Sequence, residues 1–199
     1  MRTVTEQIVI YKAIYGWNLA CSPIRSDLEF VKRIKEYVSE DVYLERCVCN
    51  RMRHQQRIRQ NAVDAAVENL KRNWEKIVLC SDFEALYETV FNTIAKPING
   101  KRTWISHCTV YDTSIRIGYS LENCILPDKY VYVHQHLIKE AVELLGERSI
   151  KTNGRYRLLR NDFTEKDIGF EHLSSLEIED FLCLSPLLKN IKTKNKLSL

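Results

Sequence analysis

The chain has 199 residues, 45% of them hydrophobic and 28% charged, with a formal net charge of +4. That is enough apolar material for a sizeable core, so neither a disulfide nor a metal staple is required. No apolar run approaches the roughly 20 residues of a membrane span, and the mild positive charge permits an anionic partner without demanding one.

Six Gly and four Pro are too few for a chain of tight β-turns. Seven irregularly spaced Cys, with no secretory leader at the N-terminus, read as reduced thiols of a cytoplasmic protein.

Thr3-Val4-Thr5-Glu6 forms a capping box for a first helix, whose apolar side carries Ile8, Ile10, Tyr11, Ile14, Tyr15 and Trp17. Ser22-Pro23 marks the next stop and start. Ser26-Asp27-Leu28-Glu29 is a second capping box, leading a helix that buries Phe30, Val31, Ile34, Tyr37 and Val38.

From Glu40 to Leu79 there is neither Pro nor Gly, and apolar residues recur at helical spacing: Leu44, Val48, Met52, then Ala62, Ala66, Leu70, Trp74 and Ile77. One helix of this length spans roughly 60 Å, against a radius of gyration around 16 Å for a compact domain of this size. The helix therefore protrudes, or breaks near Asn50 or Asn61.

Ser81-Asp82-Phe83-Glu84 caps a further helix that buries Phe83, Leu86, Tyr87, Val90, Phe91 and Ile94. Thr109-Val110-Tyr111-Asp112 reads as the box of the next one, with Ile115 and Ile117 in the core. Gly118 lies mid-helix, where it costs about 1 kcal/mol relative to Ala and points to a close backbone approach. Tyr130–Val133 is a short strand or an extended lead-in to a helix through Leu137 and Ala141 that stops at Gly146. Arg155–Arg160 is a short strand or a loop, Thr164-Glu165-Lys166-Asp167 starts a short helix, and Ser174-Ser175-Leu176-Glu177 caps the last helix. The expected fold is all-α: a single multi-helix domain over 1–188, with one long helix, straight or kinked, over about 40–79, and a basic C-terminal tail over 189–199. Trp104, Ile115, Ile117, Phe91 and Leu137 are the expected core.

The stretch Trp104-Ile105-Ser106-His107-Cys108-Thr109-Val110-Tyr111-Asp112-Thr113-Ser114-Ile115 resembles the hairpin and second helix of a helix-hairpin-helix unit, as in DNA-repair glycosylases. The resemblance implies a hairpin whose backbone N–H groups hold a DNA phosphate. Ser106 and Cys108 stand where the family carries Gly, and neither supplies the freedom of Gly. An ordinary buried helix with a capped start accounts for the same residues. The stretch also resembles uncharacterised bacterial helical proteins.

The strongest charge concentration is Arg46, Arg51, Arg53, Arg57 and Arg59. On a continuous helix Arg46, Arg53 and Arg57 share one broad face, as in a phosphate-binding helix. A solvated face has the same pattern, and Glu40, Asp41 and Glu45 lie just upstream. Asp112 and Arg116, four apart, read first as an intrahelical ion pair of roughly 0.3–0.5 kcal/mol, and second as a polar cluster with His107 and Tyr111.

His134-Gln135-His136 and Cys47-Val48-Cys49 have alternate spacing, which shares a face on a strand but not on a helix, so no metal site is expected. No nucleotide-binding, nucleophile-elbow or zinc-protease motif occurs, and neither a catalytic residue nor a cofactor is assigned. The expectation is a non-catalytic helical protein that binds a partner protein or itself. The alternative is a nucleic-acid-associated protein using the Arg-rich segment and the hairpin. The two separate on where the arginines end up: on one positive surface with the hairpin, which favours nucleic acid, or paired with carboxylates of neighbouring helices, which counts against it.

Overall fold

The computed structural model describes residues 3–14, 23–50, 55–95, 105–134, 137–146, 151–152, 155–165 and 169–189. The fold is predominantly helical, and its packing divides the chain into two compact units, 24–128 and the two terminal segments 1–23 with 129–199.

The central unit holds α2 (Pro23–Ile34), α3 (Glu40–Val48), α4 (Gln60–Arg72), α5 (Trp74–Val78), α6 (Phe83–Ile94) and α7 (His107–Ser120). The last of these is its axis, with α3 and α6 packed against it and α4 against both of those. Every residue from Thr109 to Gly118 is buried except Asp112, which is half-buried. Such a helix must satisfy its polar groups internally. Thr113, Ser114 and Ser120 do so by donating their hydroxyls to the carbonyls four residues back, at 2.7, 2.8 and 2.9 Å.

Gly118 is where the chain folds back on this helix. Its carbonyl accepts the N–H groups of Leu121 and Ile125. A Cβ on it would stand 2.1 Å from the Ile125 carbonyl oxygen and 2.9 Å from Leu86 Cδ2. The close approach expected from a mid-helix Gly is present.

The terminal unit holds α1 (Val4–Ile14), β1 (Tyr130–Val133), α8 (Ile138–Leu145), β2 (Lys151–Thr152), β3 (Arg155–Leu159), α9 (Arg160–Thr164) and α10 (Ser175–Leu188). Its small antiparallel sheet runs β1-β3-β2, with Val131 opposite Leu158 and Lys151 opposite Tyr156. Val131 and Leu158, both buried, face a core completed by Ile8, Tyr11, Phe163, Phe170 and Phe181. The rings of Phe163, Phe170 and Phe181 meet edge to face, the arrangement that aromatic quadrupoles favour.

The long helix expected over 40–79 is instead three helices. Cys49 closes α3, the chain turns through 55–58, and Asn73 separates α4 from α5. The first break falls at the expected Asn50, and the reason is tertiary, given below. The boxes at Thr3/Glu6 and Ser174/Glu177 form as expected. Three others shift. Pro23 opens α2, which places Ser26 inside it. Asp82 caps α6 by accepting from Ala85 N at 2.8 Å. Ser106, three residues before the expected Thr109, caps α7 by accepting from Thr109 N at 3.2 Å. Of the expected core, Ile115, Ile117 and Leu137 are buried, Phe91 is half-buried, and Tyr15, Trp17 and Trp104 lie outside the described residues. Phe30 and Tyr37, expected to be buried, are 47% and 83% exposed, and the short helix expected to start at Thr164 ends there instead. Of the basic tail, only Lys189 is described.

Candidate functional site: a buried polar network behind an arginine-bearing turn

Arg116 sits on α7 with 1% of its side chain exposed. A guanidinium so buried needs both charge and geometry satisfied. Its Nε donates to Asp27 Oδ2 of α2 at 2.9 Å, and its Nη1 donates to the Cys47 carbonyl at 3.0 Å. That carbonyl is in the last turn of α3, where helix carbonyls lack intrahelical partners. One side chain thus joins three helices.

The network continues into the turn that replaces the long helix. Asn50 Nδ2 donates to Asp27 Oδ1, and Asn50 N donates to Gln55 Oε1 at 3.0 Å. Gln55 is fully buried, and its Nε2 donates to Asp112 Oδ2 at 2.7 Å. The break after α3 is therefore bought by Asn50 and Gln55, whose amides find partners on α2 and α7 that an unbroken helix would deny them. Around this network burial pushes the Cys47 thiol up to about 12 and raises the Tyr43 phenol as well.

The polar cluster expected from His107, Tyr111, Asp112 and Arg116 divides. Asp112 and Arg116 reach to Gln55 and Asp27 respectively, so each serves a tertiary contact. Tyr111 is buried edge to face with Phe83, ring centroids 6.0 Å apart. His107, in the first turn of α7, stacks on Phe91 at 5.0 Å and faces the Tyr87 hydroxyl at 3.3 Å through Nδ1. Burial lowers its pKa from the ordinary imidazole value.

Arg46 lies half-buried in the last turn of α3, where a cation complements the helix dipole. Arg57 is exposed in the turn, and Arg59 is exposed at the N-cap of α4. With α3 ended at Val48, the shared helical face expected for Arg46, Arg53 and Arg57 does not exist. Arg51 and Arg53 lie outside the described residues. Neither Arg46 nor Arg57 pairs with a carboxylate among the described residues. The helix that Arg59 opens has neither a side-chain cap nor an acidic residue in its first turn. Cations at that positive end are electrostatically unfavourable.

Ser106 and Cys108, the positions matched to the hairpin glycines, are the N-cap and first turn of α7; residues 101–104 lie outside the described residues. His134 is buried near Glu179, and Gln135 and His136 are not described. Among the described residues no group of three His, Cys, Asp or Glu could hold a metal ion, and no helix is long and apolar enough to cross a membrane. The network of Asp27, Asn50 and Gln55 was not legible in the sequence because the contacts that tie it to α2 and α7 span 23 to 89 residues. The one local sign was the pair of amides inside an otherwise helical run. No family model, curated protein or solved structure matches the chain.

Proposed function

We propose that this chain is a binding protein associated with nucleic acid, whose central unit presents the arginines of the 46–59 segment to a phosphate backbone. The observation that carries this reading is Arg57, exposed and without a carboxylate partner among the described residues, in a turn tied to α7 through Gln55 and Asp112. Five Arg and no acidic residue fall between positions 46 and 63. A phosphate would complement both the Arg57 and Arg59 charges and the start of α4, whose first turn carries no acidic residue. Contacts of this kind position a protein on nucleic acid without reading its sequence, so little discrimination between sequences is expected.

Fluorescence anisotropy of the full chain with labelled mixed-sequence single-stranded DNA, duplex DNA and RNA tests this. Micromolar binding that weakens steeply with added salt supports it. No binding to any of the three at low salt contradicts it.

A second reading, association with a protein partner or with itself, is favoured by Tyr37 and Leu79 of the central unit, which are 83% and 81% exposed. Aromatic side chains such as Tyr37 are enriched at protein interfaces. Sedimentation velocity separates the readings: concentration-dependent self-association that Tyr37→Ser with Leu79→Ser abolishes favours the second.

A further inference from the structure

We propose that Tyr11 and Asp180, backed by the contact between Glu179 and His134, form a proton-sensitive clasp that closes α1 onto α10 within the terminal unit. Tyr11 is 1% exposed and Asp180 8%. The Tyr11 hydroxyl donates to Asp180 Oδ2 at 3.0 Å across 169 positions of sequence, joining the first and last described helices. Toward the end of α10 the Ser185 hydroxyl donates to Gln7 Oε1 at 3.0 Å, both side chains buried. Tyr11 also packs edge to face against Phe181 of α10. Asp180 is therefore a carboxyl inside the seam that holds α1 in place.

The charged and titratable groups around it are few and mostly acidic. From α1 comes Tyr11, and from the end of β1 comes His134, whose Nε2 is 3.9 Å from Glu179 Oε1. Glu179 is itself buried and accepts from Cys183 Sγ at 3.4 Å. Glu177 caps the start of α10 through Ser174. The helix α8 contributes Glu143, engaged with Lys189 at the other end of α10.

Desolvation, the largest influence, pushes the Asp180 carboxyl up from 3.8 to about 6; the Tyr11 hydrogen bond opposes this and the nearby Glu177 charge adds to it. The folded-state value is raised, so ionisation costs the folded state more than the unfolded one. The clasp is tightest where the carboxyl is neutral in both states, below about 3.8. It loosens as pH climbs toward about 6 and is level above that. The Tyr11 hydroxyl then donates to a buried anion, a bond that favours the charged form without offsetting its desolvation.

Amide hydrogen exchange of the full chain from pH 4 to pH 8, corrected for intrinsic rates, reads the opening of α1 directly. The opening constant of α1 should rise by roughly a hundredfold across the window, following a shift of about two pH units, and level off near neutrality. Asp180→Asn keeps an acceptor for Tyr11 and cannot ionise there, so its profile should lose this rise. Tyr11→Phe removes the hydrogen bond that favours the anion and should move the Asp180 midpoint upward. An unchanged profile in Asp180→Asn overturns the proposal. Should that variant fail to fold, carbon-13 titration of the Asp180 carboxyl in the native chain decides: a midpoint near 6 upholds the clasp, and one near 4 overturns it.

Discussion

Gln55 and Asp112, 57 positions apart, meet at 2.7 Å, and their contact fixes the turn between α3 and α4 against the axial helix of the central unit. A fully buried amide that loses its acceptor keeps its desolvation cost without the bond. Asp112→Ala is therefore expected to lower stability by about 1–3 kcal/mol. Asp112→Asn should retain part of that, since its carbonyl oxygen can still accept. Urea unfolding of the two variants beside the native chain measures the difference. Equal midpoints for all three would show that Gln55 finds another partner.

Removing one partner of the Arg116–Asp27 pair strands a charge in the core. Arg116→Met is expected to cost about 3–5 kcal/mol, with Asp27 left facing the Arg116 site. Pairing Arg116→Met with Asp27→Leu should recover much of the loss, because a buried ion pair replaced by apolar groups is often near neutral. Thermal unfolding of the two single variants and the double variant gives the coupling. A double variant as unstable as the sum of the singles would contradict the pair's isolation from water.

In an exposed helix Gly→Ala gains about 1 kcal/mol from propensity. At Gly118 the sign reverses, because the new methyl meets the Ile125 carbonyl at 2.1 Å, and that carbonyl belongs to backbone pinned by the Ile125 N–H bond to Gly118 itself. Gly118→Ala should lower stability by about 1–3 kcal/mol, the usual range for overpacking. A melting temperature at or above that of the native chain would mean the chain after α7 moves aside freely.

The described free thiols separate by environment. Cys124 and Cys183 are exposed, while Cys47 is buried with its pKa pushed up to about 12. Near pH 8 Cys47 has almost no thiolate, the reactive form. Alkylation followed by peptide mass mapping should modify Cys124 and Cys183 promptly and Cys47 only after denaturation. Modification of Cys47 at the rate of Cys124 would place it nearer the surface.

These contacts also mark what the sequence could and could not disclose. Local signals were legible: the Thr3/Glu6 and Ser174/Glu177 boxes, the helical spacing around Leu70 and Ile117, and the close approach at Gly118 are all written within a few residues. The start of α6 moved by one residue because Asp82 caps as well as Ser81, Ser106 took the cap of α7 three residues before Thr109, and α2 opens at Pro23, whose fixed φ and missing N–H suit the first helical position. The break at Asn50 had no local cause stronger than two amides in a helical run. Its cause is Asp27 and Asp112, which only the folded chain brings near. The expected pairing of Asp112 with Arg116 followed from spacing alone, and burial redirected both, since a half-buried carboxylate and a buried guanidinium gain more from tertiary partners than from an exposed i,i+4 contact.

The arginine segment is the centre of the functional account, and the slope of affinity against salt tests it most directly. Each phosphate contact contributes about 0.9 to the slope of log affinity against log salt on duplex DNA. Arg46, Arg57 and Arg59 can be changed together to Gln, because none is fully buried. Anisotropy titrations of the native chain and this triple variant, each across the same salt series, give both slopes. The native chain should bind with micromolar affinity, and the triple variant more weakly with a slope reduced by about 2–3. Binding of unchanged affinity and slope in the triple variant, or no salt-dependent binding by the native chain, would contradict it.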